Sequence, residues 1–200
     1  GEFDQGIRFG QGGNTNSRNV FNDVVIGGSS MTVGINMWLA SSTLVQDTLA
    51  YNTIKINTNV PFSKGVCINS HASRPQFFYN NIAANYSGGL TISSQSGVGA
   101  NLTSDYNILY TTGDTLCQVG GSGFFTNLAD VRTSKNIEHN SQVLDPLFLL
   151  PNDLHYTNSL IDGTAIPIAS IPYDQQDSLR STTTPNPGAY EVIPSIVYDS

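Results

Sequence analysis

The stretch Tyr51-Asn52-Thr53-Ile54 recurs along this chain as an aromatic residue, then asparagine, then an apolar residue within two positions. Its counterparts are Phe21-Asn22-Asp23-Val24, Tyr79-Asn80-Asn81-Ile82 and Tyr106-Asn107-Ile108-Leu109. The aligned asparagines are separated by 30, 28 and 27 residues. A period of this length predicts one structural unit per copy, with each unit stacked on the next.

Two further short apolar stretches accompany these blocks. One follows each block, at Val33-Gly34-Ile35, Gly65-Val66-Cys67-Ile68, Gly89-Leu90-Thr91-Ile92 and Leu116-Cys117-Gln118-Val119. Another precedes some of them, as in Gln76-Phe77-Phe78. Three short strands per repeat predict an all-β fold, a parallel β-helix of about four to five coils. Asn-Gly and Asp-Gly hairpin signals are few, which disfavours a propeller or a sandwich.

Stacking predicts which residues meet. Equivalent positions of successive coils lie about 4.8 Å apart, so the repeat predicts a column of aromatic rings and a ladder of side-chain amides. The column would contain Phe21, Tyr51, Tyr79 and Tyr106, and the ladder Asn22, Asn52, Asn80 and Asn107. Cys67 and Cys117 would be two coils, or about 10 Å, apart, which predicts two free thiols.

Composition excludes several partners. Charged residues are 12% of the chain and the net charge is -7, so we expect no nucleic-acid partner, because phosphate binding needs clustered basic side chains. No apolar run reaches membrane-spanning length, so we expect no membrane insertion. The opening Gly1-Glu2-Phe3 resembles a cloning scar, which suggests a piece of a longer protein.

The repeat divides the chain into three parts. We expect residues 1–16 to lead into the first coil, residues 17–123 to form the coils, and residues 124–200 to form the final coil and an irregular C-terminal cap. The last part is rich in proline, which cannot complete a strand ladder. A cap of this kind would cover the exposed end of the stack.

The C-terminal part also carries a series of short motifs. They are Asp145-Pro146-Leu147-Phe148, Asn152-Asp153-Leu154-His155-Tyr156, Ser159-Leu160-Ile161-Asp162-Gly163 and Pro187-Gly188-Ala189-Tyr190-Glu191. In this order they resemble the "DPLF … DFHL … SPAIDAG … DIGAYE" series of bacterial secreted, right-handed, pectate-lyase-like β-helix proteins. The resemblance covers roughly residues 141–191.

The resemblance implies secretion or display at the cell surface, often within a large multi-domain protein. It fixes no reaction, since such β-helices include polysaccharide lyases, glycoside hydrolases and non-catalytic adhesins. A "D-x-D-G" loop of relatives can hold a cation, but here it reads Asp174-Gln175-Gln176-Asp177. We therefore expect no metal site and no cofactor, with calcium as the alternative.

Candidate site residues are few. Lys55 and Arg74 are the candidate bases for lyase chemistry, although no dense acidic cluster accompanies them to hold a cation. Asp23, Asp47 and Asp105 stand at different offsets from the repeat, which disfavours the paired carboxylates of a glycosidase. Trp38, Tyr86 and Tyr110 lie outside the predicted column and are the candidate sugar-binding residues.

Together these observations favour a non-catalytic extracellular β-helix domain that binds polysaccharide or cell-surface glycan, or serves as a rigid structural or adhesive module. We expect a monomer within a larger multi-domain protein. The alternative is a fragment of a polysaccharide-active enzyme, a lyase or a glycoside hydrolase.

Overall fold

The computed structural model describes residues 5–9, 18–19, 24–26, 32–37, 47–69, 75–95 and 101–191. Within these ranges the chain is mostly β and contains one α-helix. Most strands belong to three sheets, which we name A, B and C, and in which neighbouring strands run parallel with one exception. Parallel sheets are what the repeat predicts, and they are consistent with a β-helix or another solenoid.

Sheet A contains five parallel strands and a sixth that pairs antiparallel with the fifth. They are β1 (Gln5–Phe9), β4 (Val33–Met37), β7 (Lys64–Ile68), β10 (Leu90–Ser94), β13 (Cys117–Val119) and β14 (Gly123–Phe125). The strands predicted after each aromatic block are therefore confirmed. Pairing begins at β1, which is earlier than residue 17, where the first coil was predicted to start.

Sheets B and C each contain four parallel strands. Sheet B is formed by β2 (Arg18–Asn19), β5 (Asp47–Ala50), β8 (Gln76–Tyr79) and β11 (Leu102–Asp105). Sheet C is formed by β3 (Val24–Ile26), β6 (Thr53–Ile56), β9 (Ile82–Asn85) and β12 (Ile108–Thr111). Each repeat thus contributes one strand to each sheet.

The main core lies between the inward faces of the three sheets. Rows of matching apolar side chains build it, such as Ile35, Val66, Ile92 and Cys117 on successive strands of sheet A. Cys67 is one residue out of step with this row and points to the other face of the sheet. Both cysteines are buried and free, as predicted.

The asparagine ladder exists, but its member in the third repeat is Asn81 rather than Asn80. The Asn52 amide donates to Asn81 Oδ1 at 2.7 Å, and the Asn81 amide donates to Asn107 Oδ1 at 3.1 Å. The backbone N–H of Asn52 and that of Asn81 donate to the same oxygens, each at 2.9 Å. All three side chains are fully buried.

The predicted aromatic column is wrong by the same one-residue step. Tyr51, Asn80 and Tyr106 share a left-handed backbone position, with φ of 59°, 58° and 58°. Tyr79 instead ends β8 beside Asp105 of β11 and faces outwards. Asparagine adopts the left-handed region more readily than most residues, which explains why it takes that position here.

Phe21 and Asn22, the first predicted members of the column and the ladder, lie outside the described residues.

The ladder ends on the buried carboxylate of Glu138. Asn107 Nδ2 donates to Glu138 Oε2 at 3.1 Å, and the hydroxyls of Ser104 and Ser141 donate to the same carboxylate. Ser141 Oγ accepts from the Asn107 N–H at 2.8 Å, as an asparagine oxygen does in the earlier rungs. Burial raises the pKa of Glu138, and these three hydrogen bonds partly oppose the rise.

The end of the core is covered by a helix, where the sequence led us to expect irregular chain. Helix α1 (Leu128–Lys135) begins after Asn127, whose side chain accepts from the Asp130 N–H at 3.0 Å. Leu128 and Val131 of α1 join the main core. The residues just after β14 therefore pack against this end of the core.

Residues 143–191, which we name the covering segment, lie along the outward face of sheet C. The prediction that they wrap the end of the stack is therefore wrong. Ile82 and Ile108, which face outwards from sheet C, are buried against Tyr156 and Ile161 of the segment. An apolar outward row of this kind must be covered, and the segment covers it.

The covering segment contains a hairpin of β15 (Phe148–Leu150) and β16 (Asp153–Tyr156). Its far end is fixed by Arg180, whose guanidinium lies 3.9 Å from the centroid of the Tyr51 ring. The same guanidinium donates to Glu191 at 3.4 Å. The family-like motifs near residues 145 and 191 are thus both used to hold this segment in place.

Candidate functional site

Aromatic side chains gather in two places on the outward faces of the sheets. The sheet C cluster consists of Lys55, Tyr86, Tyr110, Asp145 and Phe148. The sheet B groove is lined by Thr48, Phe77 and Tyr79 of sheet B and by Ile166, Ile168, Ser170 and Ile171 of the covering segment.

Three of the predicted site residues meet in the sheet C cluster. Lys55 was predicted as a base, and Tyr86 and Tyr110 as sugar-binding residues. Lys55 and Tyr110 occupy matching outward positions, with Ala84 between them on β9. Trp38 and Arg74 lie outside the described residues.

The Lys55 ammonium is engaged by backbone oxygens. Its Nζ donates to the carbonyls of Leu150 and Pro151 at 3.2 and 2.9 Å, and it lies 5.0 Å from the centroid of the Phe148 ring. The residue is only 6% exposed. Burial lowers the pKa of Lys55, and the carboxylates of Asp145 and Asp153 partly offset this effect. Two of its three N–H groups therefore hold the hairpin, and the amine is not directed at an open surface.

The rings of the sheet C cluster are also occupied by protein contacts. The Tyr86 hydroxyl donates to Asp145 Oδ1 at 2.5 Å, and the ring centroid lies 5.3 Å from that of Tyr110 and 6.3 Å from that of Phe148. Burial, followed by the bond to Asp145, raises the pKa of Tyr86 well above its usual range. A cavity of about 370 Å³ is lined by four members of the cluster, by Asn57 and by the aliphatic residues Leu147, Leu149, Leu150 and Pro151. We read this cluster as the anchor of the covering segment.

The sheet B groove holds a second aromatic pair, which forms one side of the groove. Phe77 and Tyr79 alternate with the buried Gln76 and Phe78 along β8, so both rings face outwards and both are partly exposed. Their centroids are 6.1 Å apart and their planes differ by 25°, so the two faces point in nearly the same direction. The groove beside them has a volume of about 360 Å³.

Polar groups flank the two rings on the neighbouring strands. Phe77 pairs with Thr48 on one side and Thr103 on the other, and Asp105 is the partner of Tyr79 on β11. Burial raises the pKa of Tyr79, and the nearby Asp105 carboxylate adds to the rise. The arrangement offers two ring faces bordered by hydroxyls and one carboxylate, which suits a ligand with apolar faces and polar edges.

Sequence reasoning missed this groove for a specific reason. It assigned Tyr79 to an internal column, so the ring was not considered as a ligand contact. The alternation of side chains along a strand could have revealed the groove. If Phe78 in the stretch Gln76-Phe77-Phe78-Tyr79 is buried, then Phe77 and Tyr79 must both lie on the outward face.

The described residues give little support to a metal site. In the part of the chain that the structure describes, no three His, Cys, Asp or Glu side chains come together to hold a metal ion. Asp174, the first residue of the loop Asp174–Asp177, accepts from the backbone N–H groups of Gln176, Ser178 and Glu191, each at 2.8 Å. His155 stacks on Tyr190 with ring centroids 3.8 Å apart.

Comparison of the chain with models of protein families, with curated proteins and with solved structures finds no match. The resemblance to secreted β-helix proteins therefore stays a prediction. Among the described residues, no helix has the length and apolar character required to cross a membrane.

Proposed function

We propose that this chain is a right-handed parallel β-helix domain of a secreted or cell-surface protein, and that it binds extracellular glycan without transforming it. The three parallel sheets and their regular repeat support the β-helix. Crossover connections between parallel strands of one sheet are right-handed in almost all proteins, which supports the hand. The C-terminal motifs support secretion through the family resemblance.

The sheet B groove carries the proposal of glycan binding. Sugar rings present C–H groups on their faces, and these pack against the electron-rich faces of aromatic rings, while hydroxyls at the edges seek hydrogen-bond partners. Phe77 and Tyr79 supply two stacked rings whose centroids lie 6.1 Å apart. Thr48 and Ser170 supply hydroxyls within the same groove.

The contacts around Lys55 support binding over catalysis. A lyase base must reach a proton of the substrate, whereas Lys55 Nζ is bonded to two backbone carbonyls beneath the hairpin. Hydrolysis needs two carboxylates that face one glycosidic bond. The seven residues that line the sheet B groove include no carboxylate, and Asp105 lies only at its border.

Titration calorimetry with soluble polysaccharides tests the proposal. We expect the chain to bind at least one neutral, uronate or amino-sugar polymer, and Phe77→Ala and Tyr79→Ala each to weaken binding about tenfold. Phe62→Ala is the matched control, because Phe62 is 77% exposed and does not line the groove. It should leave binding unchanged.

Two results would overturn the proposal. One is the absence of binding to every polymer. The other is the release of unsaturated or reducing products from any of them, which would establish a polysaccharide-active enzyme instead.

A further inference from the structure

We propose that the sheet B groove selects neutral glycans built from sugars whose ring hydroxyls are all equatorial, such as β-linked glucose or xylose polymers. This inference rests on the proposed function, since it names the class of glycan that the groove would bind. It follows from the charge, the apolar surface and the border of the groove.

The charge of the groove disfavours acidic sugars. None of the seven lining residues carries a positive charge. Lys55 lies on sheet C, where it is bonded to the hairpin, and Arg180 is buried against Tyr51 and Glu191. The carboxylate of a uronate that lay beside Asp105 would be repelled by its like charge.

The apolar surface of the groove favours sugars with flat C–H faces. Phe77 and Tyr79 form one side, and Ile166, Ile168 and Ile171 form much of the other. When every hydroxyl is equatorial, both faces of a pyranose carry only hydrogen atoms. An axial hydroxyl would be pressed against a ring or an isoleucine and would lose its water without gaining a partner.

The border of the groove can accept hydrogen bonds from equatorial hydroxyls. Asp105 is fixed there by the backbone and side-chain N–H groups of Asn140, at 2.6 and 2.8 Å, and by the Tyr106 N–H at 2.9 Å. A carboxylate has about four acceptor positions, so one remains for a ligand. A hydroxyl at the rim of a stacked sugar could donate to it without moving the side chain.

Matched oligosaccharides test the selectivity. Cellohexaose and mannohexaose share their linkage and length and differ in the orientation of the hydroxyl at carbon 2, equatorial in the first and axial in the second. We expect cellohexaose to bind about tenfold more tightly than mannohexaose, and polygalacturonate to bind more weakly than either. Phe62→Ala should preserve this order.

A charge variant tests the electrostatic part. Asp105→Asn keeps the size of the side chain and an acceptor oxygen but removes the negative charge. It should strengthen binding to polygalacturonate at least threefold while changing the affinity for cellohexaose less than that. A thermal unfolding midpoint close to that of the wild type must accompany the result, because Asp105 also holds Asn140.

The outcomes separate this inference from the proposed function. Binding that depends on Phe77 and Tyr79 but prefers mannohexaose or polygalacturonate would overturn the selectivity and leave glycan binding intact. Binding to none of the polymers would overturn both. Preference for chitosan oligomers over cellohexaose would also contradict a neutral ligand, since it would point to the amine as the recognised group.

Discussion

The outward faces of sheet C and sheet B each carry a pair of aromatic side chains, and the covering segment makes different contacts with the two pairs. On sheet C, the Tyr86 ring packs against Tyr110 and Phe148, and its hydroxyl donates to Asp145. On sheet B, Phe77 and Tyr79 form one side of a groove, and the same segment forms the other side. Aromatic residues on an exposed face therefore identify a site only after their contacts are known.

The residues on neighbouring strands account for the difference. On sheet C the position between Lys55 and Tyr110 is Ala84, whose small side chain leaves room for the hairpin to approach. On sheet B the positions beside Phe77 are threonines, which need no apolar cover. The face of sheet C is thus suited to bury the hairpin, and the positions around Phe77 on sheet B are suited to border a groove.

The largest loss of stability should come from breaking the asparagine ladder, because the ladder sets the register of the repeats that form both faces. Asn81→Ala deletes an amide that accepts from Asn52 and donates to Asn107, and leaves both partners buried without it. We expect the free energy of unfolding to fall by about 4 kcal/mol, measured by urea denaturation.

Asn80→Gly is the matched control for this variant. Glycine accepts the left-handed backbone at position 80, and the change removes only the side-chain bonds to Ile166. Its cost should be about 1.5 kcal/mol. An equal or larger loss than that of Asn81→Ala would mean that the ladder runs through Asn80 after all.

Truncating one aromatic residue on each face compares the faces directly. Tyr86→Ala should lower the free energy of unfolding by about 3 kcal/mol, because the ring packs between Tyr110 and Phe148. Tyr79→Ala should cost less than about 1 kcal/mol, since its ring is partly exposed in the groove. Urea denaturation measures both.

Limited proteolysis adds a second measurement to this pair. The hairpin Phe148–Tyr156 should be cleaved faster in Tyr86→Ala than in Tyr79→Ala. Similar stability and similar cleavage in the two variants would show that sheet C is no better covered than sheet B.

A smaller change separates the hydroxyl from the ring. Tyr86→Phe keeps the packing and removes the donor to Asp145, and the loss of a hydrogen bond to a charged group should cost about 1.5 kcal/mol. Tyr79→Phe, its counterpart on sheet B, should leave the unfolding midpoint within error of the wild type. A cost for Tyr86→Phe as small as that of Tyr79→Phe would contradict the anchoring role of Asp145.

The smallest effect should be a change in pH dependence. Burial raises the pKa of Glu138 above its ordinary value of 4.5, so the folded state holds this proton more tightly than the unfolded state does. The stability that this proton contributes is complete below that ordinary value and is lost as the pH rises through the folded-state pKa. Glu138→Gln removes this loss.

The measurement is the difference in unfolding free energy between Glu138→Gln and the wild type at several pH values. Titrations common to both proteins cancel in this difference. It should increase in favour of the variant as the pH rises from about 4.5. A difference that stays constant, or that falls with pH, would contradict a raised pKa.

The sequence predicted the strands better than it predicted which face each residue occupies. The period and the apolar stretches located every strand of sheet A from β4 to β13, because buried rows must repeat. The sequence did not reveal that Asn81, rather than Asn80, belongs to the ladder. The aromatic–asparagine pair of this repeat, Tyr79-Asn80, begins one residue before the structurally equivalent position. A slip of one residue reverses the face of every side chain, so Tyr79 was predicted inside.

The cap and the candidate site were less accessible to sequence reasoning. Helix α1 did have a local signal, Asn127 followed by Asp130, but the helix is only eight residues long and lies in a sequence poor in helix formers. The sheet C cluster joins Lys55 to Asp145, residues that are far apart in the chain and whose contact depends on how the covering segment crosses the sheet. No local pattern encodes that path.

The amide ladder also has a polarity that constrains how such a chain can grow. Each side-chain amide donates an N–H to the oxygen of the next member of the row, and the last acceptor is the carboxylate of Glu138. A repeat could be inserted between Asn52 and Asn107 if it brought its own asparagine, because it would receive and donate in the same direction. An asparagine added beyond Glu138 would find no amide donor for its oxygen, because a carboxylate has no N–H, so the carboxylate ends the ladder at this side.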